Sequence, residues 1–392
     1  MARLGDICTI YSGTGFPVQY QGTAEGQYPF YKVGDIAKNV TAGNKYLVFC
    51  ENYVEADIVK IIKGTVLPSR TVVFAKIGEA VKLNRRAITS CECLIDNNAM
   101  GIAPNESVLT LDYFFHYMCS LRLETLAEAT TVPSVKKSLI EKLDIPLPSL
   151  LEQEKISTML NKVSELITLR KEQLAKLDRL VKSRFVELFG KEAELNRWPC
   201  CTIGDVADVC VGVVIKPTQY YTDKGIPAFR SLNIGEMHVK DADWVYFTEE
   251  GHQKNQKSVI RKNDVLVVRS GAPGTACVAT EEYDGYNAVD IIIAHPDNSK
   301  VNSVFLAAYT NMPHGMIQIR EKTGGAAQQH FNVGGYKAMR LIMPPMELQE
   351  QFAAFVEQTD KSKYYSYLSI QCCQLAASTY RQEWMTSRTS HS

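Results

Sequence analysis

Apolar side chains recur every seventh position along one stretch of the chain, at Leu160, Ile167, Leu174, Val181 and Leu188, with Ile156, Val163 and Leu177 on the companion row. That spacing is the seam of a coiled coil. Ser149-x-x-Glu152 directly after Pro148 is a capping box, and Gly190 supplies a stop. A helix of roughly forty residues would be about 60 Å long. A second helix, from about Met346 to Met385, keeps the pattern more loosely through Phe352, Val356, Ile370, Cys373, Ala377, Tyr380 and Trp384. A seam this long exceeds what a domain of about 150 residues can cover, so the expected partner of each helix is the other one. Packing of each helix on its own globular domain is the alternative.

The stretches between these helices read differently. Short β-rich runs such as Val72 to Ala75, Val265 to Val268 and Val289 to Ala294 are broken by Gly, Asn and Pro, with helical spacing at Leu111 to Ala127 and Val304 to Tyr309. They also match one another. Leu4-Gly5-Asp6-Ile7 returns as Ile203-Gly204-Asp205-Val206, an offset of 199. Pro29, Tyr31, Lys32 and Ile36 match Pro227, Phe229, Arg230 and Ile234 at 198, and Val72 to Gly78 matches Val265 to Gly271 at 193. Ile145, Pro148, Gln153 and Glu154 match Leu341, Pro344, Gln349 and Glu350 at 196. Collinear blocks with drifting offsets indicate an old duplication with loop insertions. The expected organisation is an α+β chain of two duplicated mixed α/β domains, residues 1–148 and 193–345, separated by two long helices, 149–192 and 346–392. A pseudo-two-fold axis would make the helices an antiparallel rod with one globular domain near each end.

Composition narrows the chemistry. The 392 residues are 45% hydrophobic and 22% charged, with 43 Lys plus Arg against 43 Asp plus Glu, so nucleic-acid binding would have to come from local patches. Eleven cysteines with no C-x-x-C spacing, and an opening Met1-Ala2-Arg3 without an apolar leader, predict reduced thiols and a cytoplasmic location. The seven histidines do not fall at zinc-ligand spacings, and no apolar run approaches the length of a membrane span.

Catalytic motifs are missing. The Pro-Pro pair, Met343-Pro344-Pro345-Met346, lacks the Asn or Asp that an adenine methyltransferase uses to hold the flipped base. Gly190-Lys191-Glu192 lacks the features of a phosphate-binding loop. Gly13-Thr14-Gly15 and Gly324-Gly325 lack the strand-turn-helix setting of a dinucleotide site. No Ser-His or Cys-His pair has a context that suggests a nucleophile. The expectation is a chain without catalytic activity and without a metal.

Binding chemistry is present at matching places in the two halves. Lys32 and Arg230 each follow an aromatic residue, with Ser231 and Asn233 next in the second half, and Lys76 and Arg269 each end an apolar strand before a glycine turn, Ser270 following Arg269. Lys82, Arg85 and Arg86 in one half and Lys254, Lys257, Arg261 and Lys262 in the other form basic clusters suited to phosphates. Gln328, Gln329 and Asn332 carry amides that can pair with an adenine edge. A framework kept while its loops diverge suits a reader of two different half-sites.

The paired order of Gly-Asp start, Pro-aromatic-basic segment, strand with glycine turn, and Ile145-Pro146-Leu147-Pro148 with Glu152-Gln153 and Ile156 resembles the specificity subunits of type I restriction-modification systems. The second half departs from the pattern, with Leu348 before Gln349. The resemblance implies two target recognition domains that bind a split double-stranded DNA target, and a helical pair that docks two methyltransferase subunits and, through them, restriction subunits. It implies no cofactor on this chain, since the methyltransferase subunits would use S-adenosylmethionine. Two other classes stay open: a self-contained DNA-modifying enzyme, and a coiled-coil scaffold that binds proteins only.

Overall fold

A computed structural model describes residues 1–127, 133–192, 197–323 and 330–386. The chain divides into two compact units, Met1–Glu172 with the stretch from Ser366 onward, and Gln173–Tyr365.

In the first unit the β-rich runs form an antiparallel sheet in the order Cys8–Ser12, Ala99–Pro104, Val72–Ala75, Arg86–Ile88. Val72–Ala75 is apolar throughout because both faces are covered. Val72 and Phe74 pack with Phe114, Tyr117 and Met118 of the helix Leu111–Ser120, while Val73 packs with Tyr31, Ile36 and Leu47. A smaller sheet holds Tyr53–Val54, Tyr28–Tyr31 and Leu94–Ile95. The helical spacing seen from Leu111 to Ala127 is interrupted, since Leu121 is extended and a separate turn spans Leu123–Leu126. The cause is chemical: the Leu121 carbonyl accepts from Asn84 Nδ2 at 3.0 Å and Arg86 Nη2 at 2.7 Å.

The second unit repeats the topology. Its sheet runs Ala207–Val211, Ile291–Pro296, Val265–Val268, Ala276–Val278, beside a smaller sheet of Tyr221–Thr222, Val245–Phe247, Ile226–Phe229 and Asn287–Ala288.

The first long helix spans Leu150–Phe189 and the second Met346–Thr386. The Ser149 amide donates to Glu152 Oε2 at 3.0 Å, and Gly190 closes the helix at φ 90°. Each start is pinned by the same buried residue. Gln153 accepts from the Thr110 amide at 2.8 Å and donates to the Val108 and Pro148 carbonyls, while Gln349 accepts from the Asn302 amide at 2.9 Å and donates to the Pro344 carbonyl. Leu348, which replaces the capping glutamate, packs on the core.

In the second unit Phe185 and Phe189 of the first helix meet Phe352 of the second, at 5.4 and 5.7 Å between ring centroids. Val181 and Val356 join that core, Leu174 is buried, and Asp178 pairs with Lys363 at 2.8 Å. Residue numbers rise along one helix as they fall along the other, so the pair is antiparallel. In the first unit the Trp384 ring lies tilted against Tyr113, 4.8 Å between centroids, in the core that Ile156 also touches. Leu160, Ile370 and Ala377 are buried, and Val163, Ile167, Leu177 and Leu188 are half-buried. The second helix looked looser in sequence because Thr359 and Ser366 are polar seam residues.

Candidate nucleic-acid interface

Three strand ends converge at one place in each unit. In the second unit Ile226–Phe229 runs parallel to Asn287–Ala288, with Phe229 opposite Ala288, and Val265–Val268 lies antiparallel to Ile291–Pro296, with Val268 opposite Ile291. The residues after the first and third strands, Arg230 and Arg269, therefore emerge on either side of the Val289–Asp290 link. Asp290 sits there at φ 49° and accepts from Arg269 Nη1 at 2.8 Å. Arg230 donates its guanidinium to the Asp243 carbonyl. Ser270 Oγ and His330 Nδ1 are 2.8 Å apart, because the Phe331 amide donates to the Arg269 carbonyl and holds the two segments side by side.

The first unit builds the same junction. Tyr31 lies opposite Ile95 and Ala75 opposite Ala99, so Lys32 and Lys76 leave their strands against the turn Asp96–Ala99. The Lys76 carbonyl accepts from the Val135 amide at 2.8 Å, as Arg269 does from Phe331. Lys32 Nζ donates to Gln21 and lies 5.7 Å above the Phe16 ring. Gly78 and Gly271 stand at φ 79° and 87° with open space where a Cβ would be, so the turn conformation, and not close packing, requires glycine.

The sequence-derived residues separate into two groups. Lys32 and Lys76 share one junction, and Arg230, Ser231, Arg269, Ser270 and Asn332 gather at the other, with Asn332 Oδ1 capping a short helix by accepting from the Gly335 amide. Lys82 and Lys257 are exposed, Arg85 half-exposed, and Lys82 pairs with Glu79. Gln328 and Gln329 lie outside the described residues.

Two assignments require correction. Arg86 is buried, spends its guanidinium on the Asn84 and Leu121 carbonyls, and is pushed down to about 10 by that burial, so it is a structural plug without a free face. Asn233 is also buried. Its Oδ1 accepts from the Arg230 amide at 2.9 Å and its Nδ2 donates to the Ala242 carbonyl at 2.7 Å, which consumes the groups that could read a base. Its counterpart Asp35 does the same for the Lys32 amide, at 2.8 Å, although burial pushes the Asp35 carboxyl above its ordinary value. Asp290 and Asp96, which organise the junctions, were missed; the duplication offset around the glycine turns was the available signal. Among the described residues no group of three His, Cys, Asp or Glu could hold a metal ion, and no helix is long and apolar enough to cross a membrane.

Residues 1–179 match the profile of the type I restriction modification DNA specificity domain. A type I restriction enzyme specificity subunit of Methanocaldococcus jannaschii is 22% identical over 288 residues, covering 68% of this chain and 62% of the relative. One from Escherichia coli is 21% identical over 298 residues, with 68% and 62% covered, and a putative one from Haemophilus influenzae is 20% identical over 364 residues, with 91% and 86% covered. The alignment thus spans about three fifths of the first of these relatives. The solved S subunit of a type I restriction-modification system from M. genitalium shares the fold at TM-score 0.54 and 15% identity, with 98% of this chain and 95% of that one covered.

Proposed function

We propose that the chain is a type I restriction-modification specificity subunit, the DNA-reading subunit of such a complex, a reading supported by the match of residues 1–179 to the DNA specificity domain and by the relatives over most of the chain. The observation that carries this reading is the duplicated junction: two strand ends, each delivering a cation, meet at a tight turn in both units, on Lys32 and Lys76 in one and Arg230 and Arg269 in the other. Cations held by strand ends beside glycine turns suit phosphate and base-edge contacts in a groove. Because the two sets differ in side chain, each unit would read its own half of a bipartite double-stranded target.

Each unit also presents apolar side chains on the long helices that neither seam covers, among them Leu166, Leu169, Tyr365, Tyr367 and Leu375. Such faces suit docking of methyltransferase subunits, and through them restriction subunits. The chain itself then carries no catalytic step, binds no cofactor, and leaves use of S-adenosylmethionine to the methyltransferase subunits.

The test is methylation sequencing of host DNA with the methyltransferase subunit present and this gene present or deleted. A bipartite adenine-methylated motif that disappears on deletion supports the reading. Methyl transfer by the purified chain alone, or an unchanged methylome, overturns it. Arg269→Ala in the assembled complex should weaken specific binding by roughly 1 to 3 kcal/mol, with relaxed preference in one half-site if the contact is to a base. Lys257→Ala should lower affinity across all sequences and reduce the salt slope by about one.

A further inference from the structure

Three side chains of the second unit that are distant in sequence meet in a linear array. Cys210 Sγ donates to the Lys257 carbonyl at 3.2 Å and lies 3.7 Å from His295 Nε2, and His295 Nδ1 lies 2.7 Å from Asp264 Oδ1. Their approach follows from the sheet. Cys210 sits on Ala207–Val211 and His295 on the adjacent antiparallel strand Ile291–Pro296, where Asp208 faces His295, so the thiol is one same-face step along from the ring. Asp264 immediately precedes the third strand, is buried, and is fixed by accepting from the Arg261 amide at 2.7 Å. The carboxylate thus orients the ring, and the ring's other nitrogen faces sulfur. The sequence alone offered no context for such a pair, since 54 residues separate Cys210 from Asp264 and 31 separate Asp264 from His295.

The first unit shows that the fold does not require this array. By the register of the two sheets and the repeat of Val72 as Val265, the residues equivalent to Cys210, Asp264 and His295 are Tyr11, Thr71 and Ala103. The same scaffold closes without a thiol, imidazole or carboxylate at any of the three places.

We propose that Cys210 is an activated nucleophilic thiol, a site of covalent modification by low-molecular-weight disulfides, with His295 as its ion-pair partner and Asp264 as a positioning residue. The thiolate is the attacking form of a cysteine, and an imidazolium beside it favours that form. The hydrogen bonds to Asp264 and Cys210 raise His295 to about 9, so the ring is cationic at neutral pH. Asp264 and Cys210 are the titratable groups on the ring; Asp208, across the strand pair, is engaged by Lys337 at 3.6 Å. Cys210 is partly exposed, whereas burial raises Cys8, Cys50, Cys93 and Cys277 well above an ordinary thiol.

In the reaction, the Cys210 thiolate attacks one sulfur of the disulfide. A new sulfur–sulfur bond forms as the original one breaks, and the displaced thiolate leaves with the proton held by the imidazolium. The products are a mixed disulfide on Cys210, one free thiol and neutral His295; the small disulfide is the oxidant.

The experiment treats the full reduced chain with oxidised glutathione and follows each cysteine by quenching and peptide mass mapping. Cys210 should be modified first, about tenfold faster than the exposed Cys91 and Cys372. Its advantage should widen as pH falls from about 8 to about 6.5, where ordinary thiols lose their thiolate. His295→Gln should abolish the advantage, and Asp264→Asn should abolish its widening at low pH. A wild-type chain in which Cys210 reacts no faster than Cys91 and Cys372 overturns the proposal whether or not the variants fold, as does a folded His295→Gln chain with an unchanged rate.

Discussion

The two units share strand order and helix starts, yet the residues they hold in common are mostly not the ones that face outward. Gln153 and Gln349 satisfy buried amides and carbonyls at the helix starts, and Asp35 and Asn233 cap the same turn. Tyr117 and Tyr309 each donate a hydroxyl to a carbonyl of the strand before the long helix, Asp144 at 3.0 Å and Arg340 at 2.8 Å. Gly13 and Gly212 both lie against a neighbouring backbone, where a Cβ would come within 1.7 Å of the Asp96 oxygen or 2.5 Å of the Ala288 oxygen. By contrast, Arg269 stands where the first unit has Lys76, Cys210 where it has Tyr11, and the units carry opposite histidine chemistry. His116 is enclosed beside Asn161 and held down at about 4 by burial, while His295 is raised to about 9 by its hydrogen bonds to Asp264 and Cys210. Duplication has preserved what the backbone needs and released the rest.

The largest expected effect lies in the helix pair. Phe185, enclosed by Phe189, Phe305 and Phe352, should cost about 3 to 5 kcal/mol when replaced by Ala. Leu169→Ala on the exposed face of the same helix should stay within about 0.5 kcal/mol by urea denaturation. Equal losses would mean that the seam does not separate the two faces.

Acid titration sharpens the contrast between the histidines. The unfolded chain takes up a proton at His116 near its ordinary pKa, about 6.5, and the folded chain only near about 4, so stability falls across that interval. The loss should be about 3 kcal/mol by pH 4 and should vanish in His116→Gln. His295 works with the other sign: its contribution is complete below its unfolded pKa and is lost as pH rises through about 9. The His116→Gln curve should therefore separate from wild type as pH falls from about 6.5 to about 4, whereas the His295→Gln curve, separated from wild type at neutral and acid pH, should converge on it as pH rises through about 9.

The helix-start glutamines test equivalence more gently. Gln153→Ala and Gln349→Ala each leave a partly buried amide without its acceptor, at a cost of about 1 to 3 kcal/mol. Costs that differ by more than the experimental error of unfolding would show that one half depends on its pin more than the other. Smallest of all, Arg269→Ala should remove about 0 to 1 kcal/mol of stability with its partly exposed Asp290 partner. Lys76→Ala should lose less than that in the same assay, so an effect on DNA binding from either would not be a folding defect.

The long helices were legible because their signal is periodic: a seven-residue repeat survives whatever surrounds it, and the buried stripe Phe352, Val356, Ile370, Ala377 follows the spacing. The repeat was legible because glycine, proline and glutamine hold positions where backbone geometry admits few substitutes. Surface exposure was not legible. Arg86 sits among Lys82 and Arg85 in a run that reads as one basic cluster, and nothing local tells that its strand turns it inward toward the Leu121 carbonyl. Asn233 likewise has the composition of a reader and the environment of a cap. Cys210, Asp264 and His295 were invisible for the opposite reason, since only strand pairing brings them together.

The composition of the first unit has a consequence for how the chain is made. Its core includes Trp384, packed against Tyr113, so the unit that begins the chain is finished by residues from its far end. The second unit, Gln173–Tyr365, is continuous and holds all its parts once its last residue is available. During synthesis from the N-terminus, the earlier unit must therefore wait with part of its apolar surface uncovered while the later one closes. Pulse proteolysis of stalled chains would see this as protection that arrives in reverse of the order in which the residues were made.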